Sequence, residues 1–145
     1  MKQNLKLNTF VRKARFLGSR YYCPICDSNL RNLRPRGFKF PVLAEKKIIG
    51  GGYRLNAQCP VCKSTDRERL LYLYLSNKTS FFNEPIKLLH VAPEPALSAI
   101  IETHSNIDYL TADLSLDSVM VKMDITEIDY PDKSFNVIIC NHVLE

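Results

Sequence analysis

No apolar run in this 145-residue chain approaches the ~20 residues that a membrane-spanning helix needs, which excludes a helical bilayer span and predicts a soluble protein. The first twenty residues contain no acid and no continuous apolar core, because Lys2, Lys6, Arg12, Lys13 and Arg15 interrupt them, so they do not form a secretory signal. A basic, acid-free leader also suits a transit peptide, but a removable leader seldom abuts the fold it delivers, and Cys23 opens a motif at once. A cytoplasmic, reducing setting is the expectation. Positive charge is scarce in the second part of the chain: residues 81–145 hold three Lys and Arg against eleven Asp and Glu, net −8, whereas residues 1–80 hold seventeen against four, net +13. The overall +5 therefore hides two modules of opposite charge. A basic module of this kind contacts phosphate, an acidic surface or its own acidic neighbour. With 46% hydrophobic and 24% charged residues, the chain has globular rather than disordered composition.

Of five cysteines, four fall into two copies of one pattern, Cys23-Pro24-Ile25-Cys26 and Cys59-Pro60-Val61-Cys62. A two-residue gap lets both thiolates of a tight turn reach one tetrahedral ion at ~2.3 Å, while the proline presets φ. Two such turns complete a closed four-cysteine site with no open position, which marks a structural rather than a catalytic zinc. Disulfides would suit a secreted chain, and a redox pair would need one motif on a thioredoxin-like unit rather than two matched turns. The thirty-two residues between the pairs must carry structure of their own. Phe38 to Val42 and Tyr53 to Ala57 read as strands, with Gly50-Gly51-Gly52 supplying a positive-φ turn, so the unit reads as a zinc ribbon with an extended hairpin. Basic residues surround it, and Tyr21, Tyr22, Phe38, Phe40 and Tyr53 interleave with them. Such a mixture grips phosphates and stacks on bases, or else the rings form the ribbon's small core.

Thr65 with Glu68 three residues on reads as a capping box, and the leucines that follow predict a helix from about Asp66 to Ser76. Arg67 and Arg69 on it face a ligand or form surface ion pairs. From Ile86 the pattern changes to short apolar strands ending in polar residues. Lys87 to Val91 is a near-continuous apolar run, as in a strand buried on both faces. A loop with Pro93, Glu94 and Pro95 leads to a helix through Ala96, Leu97 and Ile100. Ile107 to Asp113, Val119 to Met123 and Phe135 to Cys140 complete four strands of a doubly wound α/β arrangement. Ligands of such sheets lie outside the carboxyl ends of the strands, and Asp113 follows Glu94 by nineteen residues, near the ~20-residue interval of a ribose-binding acid. Only five residues separate Asp113 from Val119, so that return is extended and taut, spanning at most about 17 to 18 Å. His90 reads as a hydrogen-bonded core residue, His104 as an exposed helix end and Cys140 as a packing residue. The division is a basic amphipathic segment over 1–22, the ribbon over 23–64, a linking helix over 65–80 and the α/β unit over 81–145.

The segments LLHVAPEPAL, YLTADL and VKMDITEIDYPDKSFNVIICNHVLE resemble class I S-adenosylmethionine-dependent methyltransferases over residues 86–145, in particular the small-molecule, type 11-like group with an F-D-x-(I/V) strand and a V-L-E-H helix start. The basic helix, the CPxC turns and the Arg-rich Leu helix are similar to bacterial members carrying an amino-terminal zinc ribbon. The resemblance implies a partial Rossmann-like parallel sheet, strands 3-2-1-4 of the order 3-2-1-4-5-7-6, with S-adenosylmethionine and structural zinc as cofactors. It implies that Asp113 bonds the ribose hydroxyls, Asp124 the adenine amine, and that Ile125 packs on the ring. His90, Ala92 and Glu94 would line the first loop, with Asn141 near the sulfonium and His142 near the transfer site. Where the family carries an acid and three glycines, this chain has His90, Ala92, Pro93, Glu94 and Pro95, which makes Glu94 the candidate partner of the methionine amino group. No catalytic acid or base is assigned, since methyl transfer needs only alignment of acceptor and sulfonium. The acceptor is a small molecule, sugar, lipid or RNA, the last with the basic ribbon as a contact. The alternative function is a non-catalytic nucleic-acid-binding zinc ribbon carrying a Rossmann remnant. Because the run Phe135–Cys140 stops at Asn141–Glu145, where a helix should begin, the chain reads as cut short, an inactive half-sheet with a bare fourth strand.

Overall fold

The computed structural model describes residues 2–48, 51–141 and 143, so readings that involve Gly50, His142, Leu144 and Glu145 lie outside the described residues. The chain divides into two compact units, Met1–Tyr72 and Leu73–Glu145. None of the helices among the described residues is long and apolar enough to cross a membrane.

The first unit opens with helix α1, Lys2–Phe16, followed by β1, Leu17–Cys23, which pairs antiparallel with β2, Ser28–Leu30. Gly18 permits this close return: a Cβ there would meet the Arg31 backbone at 2.5 Å, a distance no side chain tolerates. A second two-stranded sheet joins β3, Arg34–Arg36, to β4, Arg54–Gln58. The core beneath them is small and mostly aliphatic, built from Phe16, Ile25, Leu30, Ala57 and Val61 with the buried sulfurs of Cys23 and Cys59.

One hairpin expectation fails here. Residues expected to form the strand Phe38–Val42 instead lead into a short helix, α2, Pro41–Glu45, with Pro41 in its first turn where the missing N–H costs nothing. It ends in a Schellman motif: Ile48 N–H donates to Leu43 O at 2.9 Å, Lys47 N–H donates to Ala44 O at 3.2 Å, and Lys47 takes φ 52°. Of the expected turn glycines that are described, Gly51 and Gly52 have no positive φ; Gly37, φ 97°, does, and its absent Cβ would lie 2.2 Å from Gly52 O. The rings expected to fill the core are mostly outside it, with Phe38 63% and Tyr22 55% exposed.

Helix α3, Asp66–Lys78, begins with the reciprocal capping box: Thr65 N–H donates to Glu68 Oε2 at 2.7 Å, and Glu68 N–H donates to Thr65 Oγ1 at 3.4 Å. It runs two residues beyond the expected end. Arg69 is neither a ligand-facing nor a surface residue. It is buried, and its guanidinium donates to Ser64 O at 2.9 Å and Ala57 O at 3.1 Å, tying the helix to β4 and to the second cysteine turn.

The second unit is a mixed α/β fold around a four-stranded parallel sheet in the order β7-β6-β5-β8. Its strands are β5, Ile86–Val91, β6, Ile107–Asp113, β7, Val121–Lys122, and β8, Val137–Cys140. Leu88 and Leu89 of β5 are fully buried, as a central strand covered on both faces requires, and helix α4, Pro95–Ile101, buries Leu97 and Ile101. Each such side chain contributes about 2 kcal/mol of burial. The taut return after β6 is resolved by shortening its target. Strand β7 spans Val121–Lys122 rather than Val119–Met123, and Met120 N–H donates to Thr111 Oγ1 at 3.0 Å instead of joining the ladder. Likewise β8 starts at Val137 rather than Phe135. Asn136 exchanges two bonds with Lys87, its N–H donating to Lys87 O and its Oδ1 accepting from Lys87 N–H, which pins the register of β8 against β5. His104, expected to be exposed, is half-buried with its ring 4.5 Å from that of Phe82.

Candidate metal centre and strand-end site

The four cysteines of the two turns stand together, with their sulfurs all within 4.8 Å of one another. Cys23 Sγ lies 3.7 Å from Cys62 Sγ, and Cys26 Sγ 3.8 Å from Cys59 Sγ. A disulfide would bring sulfurs to ~2.05 Å. Four ligands at ~2.3 Å from a tetrahedral zinc lie ~3.8 Å apart, the edge of that tetrahedron. The cluster therefore fits a metal ion such as zinc and is not two disulfides. Hydrogen bonds from Cys26, Cys59 and Cys62 hold Cys23 far below the ordinary thiol range, whereas contacts with the other three cysteines push Cys62 far above it. The cluster cannot hold four thiolates at these separations without a cation to offset their charge.

The turns match beyond their cysteines. Asp27 at φ 47° and Lys63 at φ 71° each follow the second cysteine in a left-handed conformation, and a serine comes next in both. Ser28 Oγ is 3.3 Å from Cys26 Sγ, and Ser64 Oγ is 3.1 Å from Cys62 Sγ. These hydroxyls orient the sulfurs from outside the ligand set, the role that outer hydrogen bonds play around metal ligands. Neither serine was singled out from the sequence, although CPICDS and CPVCKS display the repeat openly.

In the second unit the parallel register places the ends of β5, β6, β7 and β8 along one edge, since Val91 pairs with Ala112 and Cys140, and Ala112 with Val121. That edge carries Asp113 as the last residue of β6, and Glu94, Asp124 and Asn141 in the loops beyond β5, β7 and β8. Three of the expected residues meet directly. His90, fully buried, places Nε2 2.9 Å from Glu94 Oε2, and Asn141 Nδ2 donates to Glu94 Oε1 at 3.0 Å. The other imidazole nitrogen, Nδ1, is 2.8 Å from the Tyr109 hydroxyl, which bonds in turn to Ser98. Burial pushes the Glu94 carboxyl up, but the bonds from His90 and Asn141 outweigh it and hold the group below the usual carboxylate range.

Asp113 and Asp124 take no part in that network. Asp113 Oδ1 accepts from Leu116 N–H and Ser115 N–H, both at 2.8 Å, and from the Ser115 hydroxyl, and these bonds hold its carboxyl low. Asp124 Oδ1 accepts from Thr126 Oγ1 at 2.7 Å and Thr126 N–H at 2.8 Å, with the same result. Ile125 and Ala92 are both half-buried against the cluster of Leu89, Val91, Ala112 and Met123.

Ala92 turns the chain at the end of β5 with φ 49°, the conformation that glycine adopts without a Cβ penalty, and its N–H donates to Ala112 O at 2.9 Å. Replacing Ala92 by glycine is therefore expected to stabilise the protein by about 0.5 to 1 kcal/mol, read as a higher urea midpoint. A lower midpoint would show that the methyl's packing against the cluster outweighs the strain.

No protein-family model, no curated protein and no solved structure matches this chain.

Proposed function

We propose that the chain is a class I, Rossmann-like S-adenosylmethionine-dependent methyltransferase unit with a structural zinc in its amino-terminal ribbon. The observation that carries this reading is the parallel order β7-β6-β5-β8 with an acid or amide at or just beyond the carboxyl end of each of the four strands. Ligands of open parallel sheets bind outside that edge.

The residues present suit the parts of the cofactor. All three bonds to Asp113 use Oδ1, so its second oxygen is placed to accept from ribose hydroxyls. Asp124 is an ionised acceptor for the adenine amine, and half-buried Ile125 offers an apolar surface to the ring. Ala92's left-handed turn does with alanine what the family does with glycine, reversing the backbone directly beyond β5. Glu94, held anionic by His90 and Asn141, suits the methionine amino group. When bound, S-adenosylmethionine supplies an electrophilic methyl group on a sulfonium. The chain's own residues bind and orient.

Calorimetry with S-adenosylhomocysteine tests this. The zinc-loaded protein is expected to bind it, and Asp113→Ala to weaken binding at least ten-fold, since a hydrogen bond to a charged group contributes ~1.5–3 kcal/mol. Absence of binding, or unchanged affinity in the variant with zinc content preserved, would sink the proposal.

A further inference from the structure

The first unit concentrates cations in a way its fold does not require. Phe16, buried at the junction of α1 and β1, has three guanidinium carbons near its ring: Arg34 at 5.1 Å from the centroid, Arg15 at 5.9 Å and Arg31 at 6.0 Å. All three arginines are exposed, and among the described residues no carboxylate pairs with any of them. With each within 6.0 Å of one ring centroid, no two are more than roughly 12 Å apart, and any pair closer than the ~8 Å screening length repels. The ring contacts offset part of that repulsion and hold the guanidinium groups in place before any ligand arrives.

The same segment continues into a flat aromatic surface. Arg34, Arg36, Phe38 and Phe40 alternate along the chain, and the two phenylalanine rings stack at 5.5 Å between centroids and 14° between planes. Both are largely exposed, at 63% and 59%. An unpaired cluster of arginines contacts phosphates, and planar rings left in water stack on bases regardless of base identity.

We infer that the Arg15, Arg31 and Arg34 cluster together with the Phe38–Phe40 platform is a binding surface for single-stranded nucleic acid, its phosphates on the arginines and its bases on the rings. Charge complementarity selects the partner, since residues 1–80 carry net +13. This surface does not depend on methyl transfer, and its test involves no S-adenosylmethionine.

Fluorescence anisotropy of the full, zinc-loaded chain with a labelled twelve-nucleotide oligouridine measures it. Binding is expected to weaken steeply with salt. Changing the three arginines to glutamine should lower the slope of log K against log salt by about 2, at ~0.7 per phosphate on a single strand. Phe38→Ala and Phe40→Ala should each weaken binding about ten-fold, the loss of one base stack, while Phe38→Tyr and Phe40→Tyr, which keep a ring, should bind as the parent does. All these side chains except Phe16 are exposed, so unchanged zinc content and circular dichroism separate lost binding from lost folding. Equal affinity for heparin or for a duplex, with no effect of the ring substitutions, would reduce the surface to a general polyanion site and overturn the inference. Preference for phosphatidylglycerol vesicles over the oligonucleotide, or no binding at low salt, would overturn it too.

Discussion

Removing the metal with a strong chelator is expected to unfold the first unit. Its core holds few large side chains besides the cysteines, chiefly Phe16, Ile25, Leu30 and Val61, and so small a core supplies only a few kcal/mol against chain entropy. A structural zinc contributes an apparent ~10–16 kcal/mol in zinc-finger peptides at neutral pH, far more than that margin. Chelation should therefore abolish the strand signal of residues 17–58 and open the arginine-rich segment 31–54 to trypsin, while the sheet residues 86–91 and 107–113 keep their amide protection. Cys59→Ser should do the same at saturating zinc, whereas Cys140→Ser, which alters a half-buried packing residue outside the cluster, should not. Zinc binding displaces thiol protons, so retention of the metal should weaken as the pH falls. A chelated protein still resisting trypsin in segment 31–54 would show that the cluster is not what holds the unit together.

Replacing His90 by leucine is expected to cost about 2–4 kcal/mol at neutral pH, although leucine fills much of the same space. Both imidazole nitrogens are engaged in a fully buried position, and the substitution leaves the Glu94 carboxylate with Asn141 as its remaining partner and the Tyr109 hydroxyl with Ser98. Burial pushes Tyr109 up to about 12, so its hydroxyl stays protonated at neutral pH and adds no second negative charge beside Glu94. The pH dependence has a definite sign. The folded Glu94 carboxyl sits below its unfolded value of ~4.3, so its contribution is fully present above that pH and is lost as the pH falls through the lower folded value. In His90→Leu the bond that lowered it is gone and burial raises it, so the variant's deficit should shrink as acid protonates Glu94. Urea melts from pH 3.5 to 7 would read this. A deficit constant over that range would mean that Glu94 does not sense His90.

The metal centre was legible because a two-residue gap is local: spacing and turn chemistry bring two thiols together whatever the rest of the chain does. The parallel sheet was legible for a related reason, since a strand buried on both faces is mostly apolar, and Leu88, Leu89 and Val91 are, with His90 the buried polar exception. Errors arose where local preference and tertiary context disagree. Phe38–Val42 is rich in strand formers, but Pro41 has no N–H for a ladder and suits the first turn of a helix, and α2 forms there. Val119–Met123 keeps only Val121 and Lys122 as strand, paired with Ala112 and Asp113, while Met120 N–H bonds the Thr111 side chain instead of the ladder.

By itself the sequence determined which residues meet across short spans: the two cysteine turns, the Thr65–Glu68 cap and the periodic apolar runs, each set by backbone geometry within a few residues. Only the tertiary structure decided which polar groups are buried and with whom. Arg69 bonds a carbonyl twelve residues away, and Asn141 reaches Glu94 across forty-seven. The exposed stack of Phe38 on Phe40 belongs with these, because a residue's type states what it can do, while its exposure depends on which surfaces the folded chain brings over it.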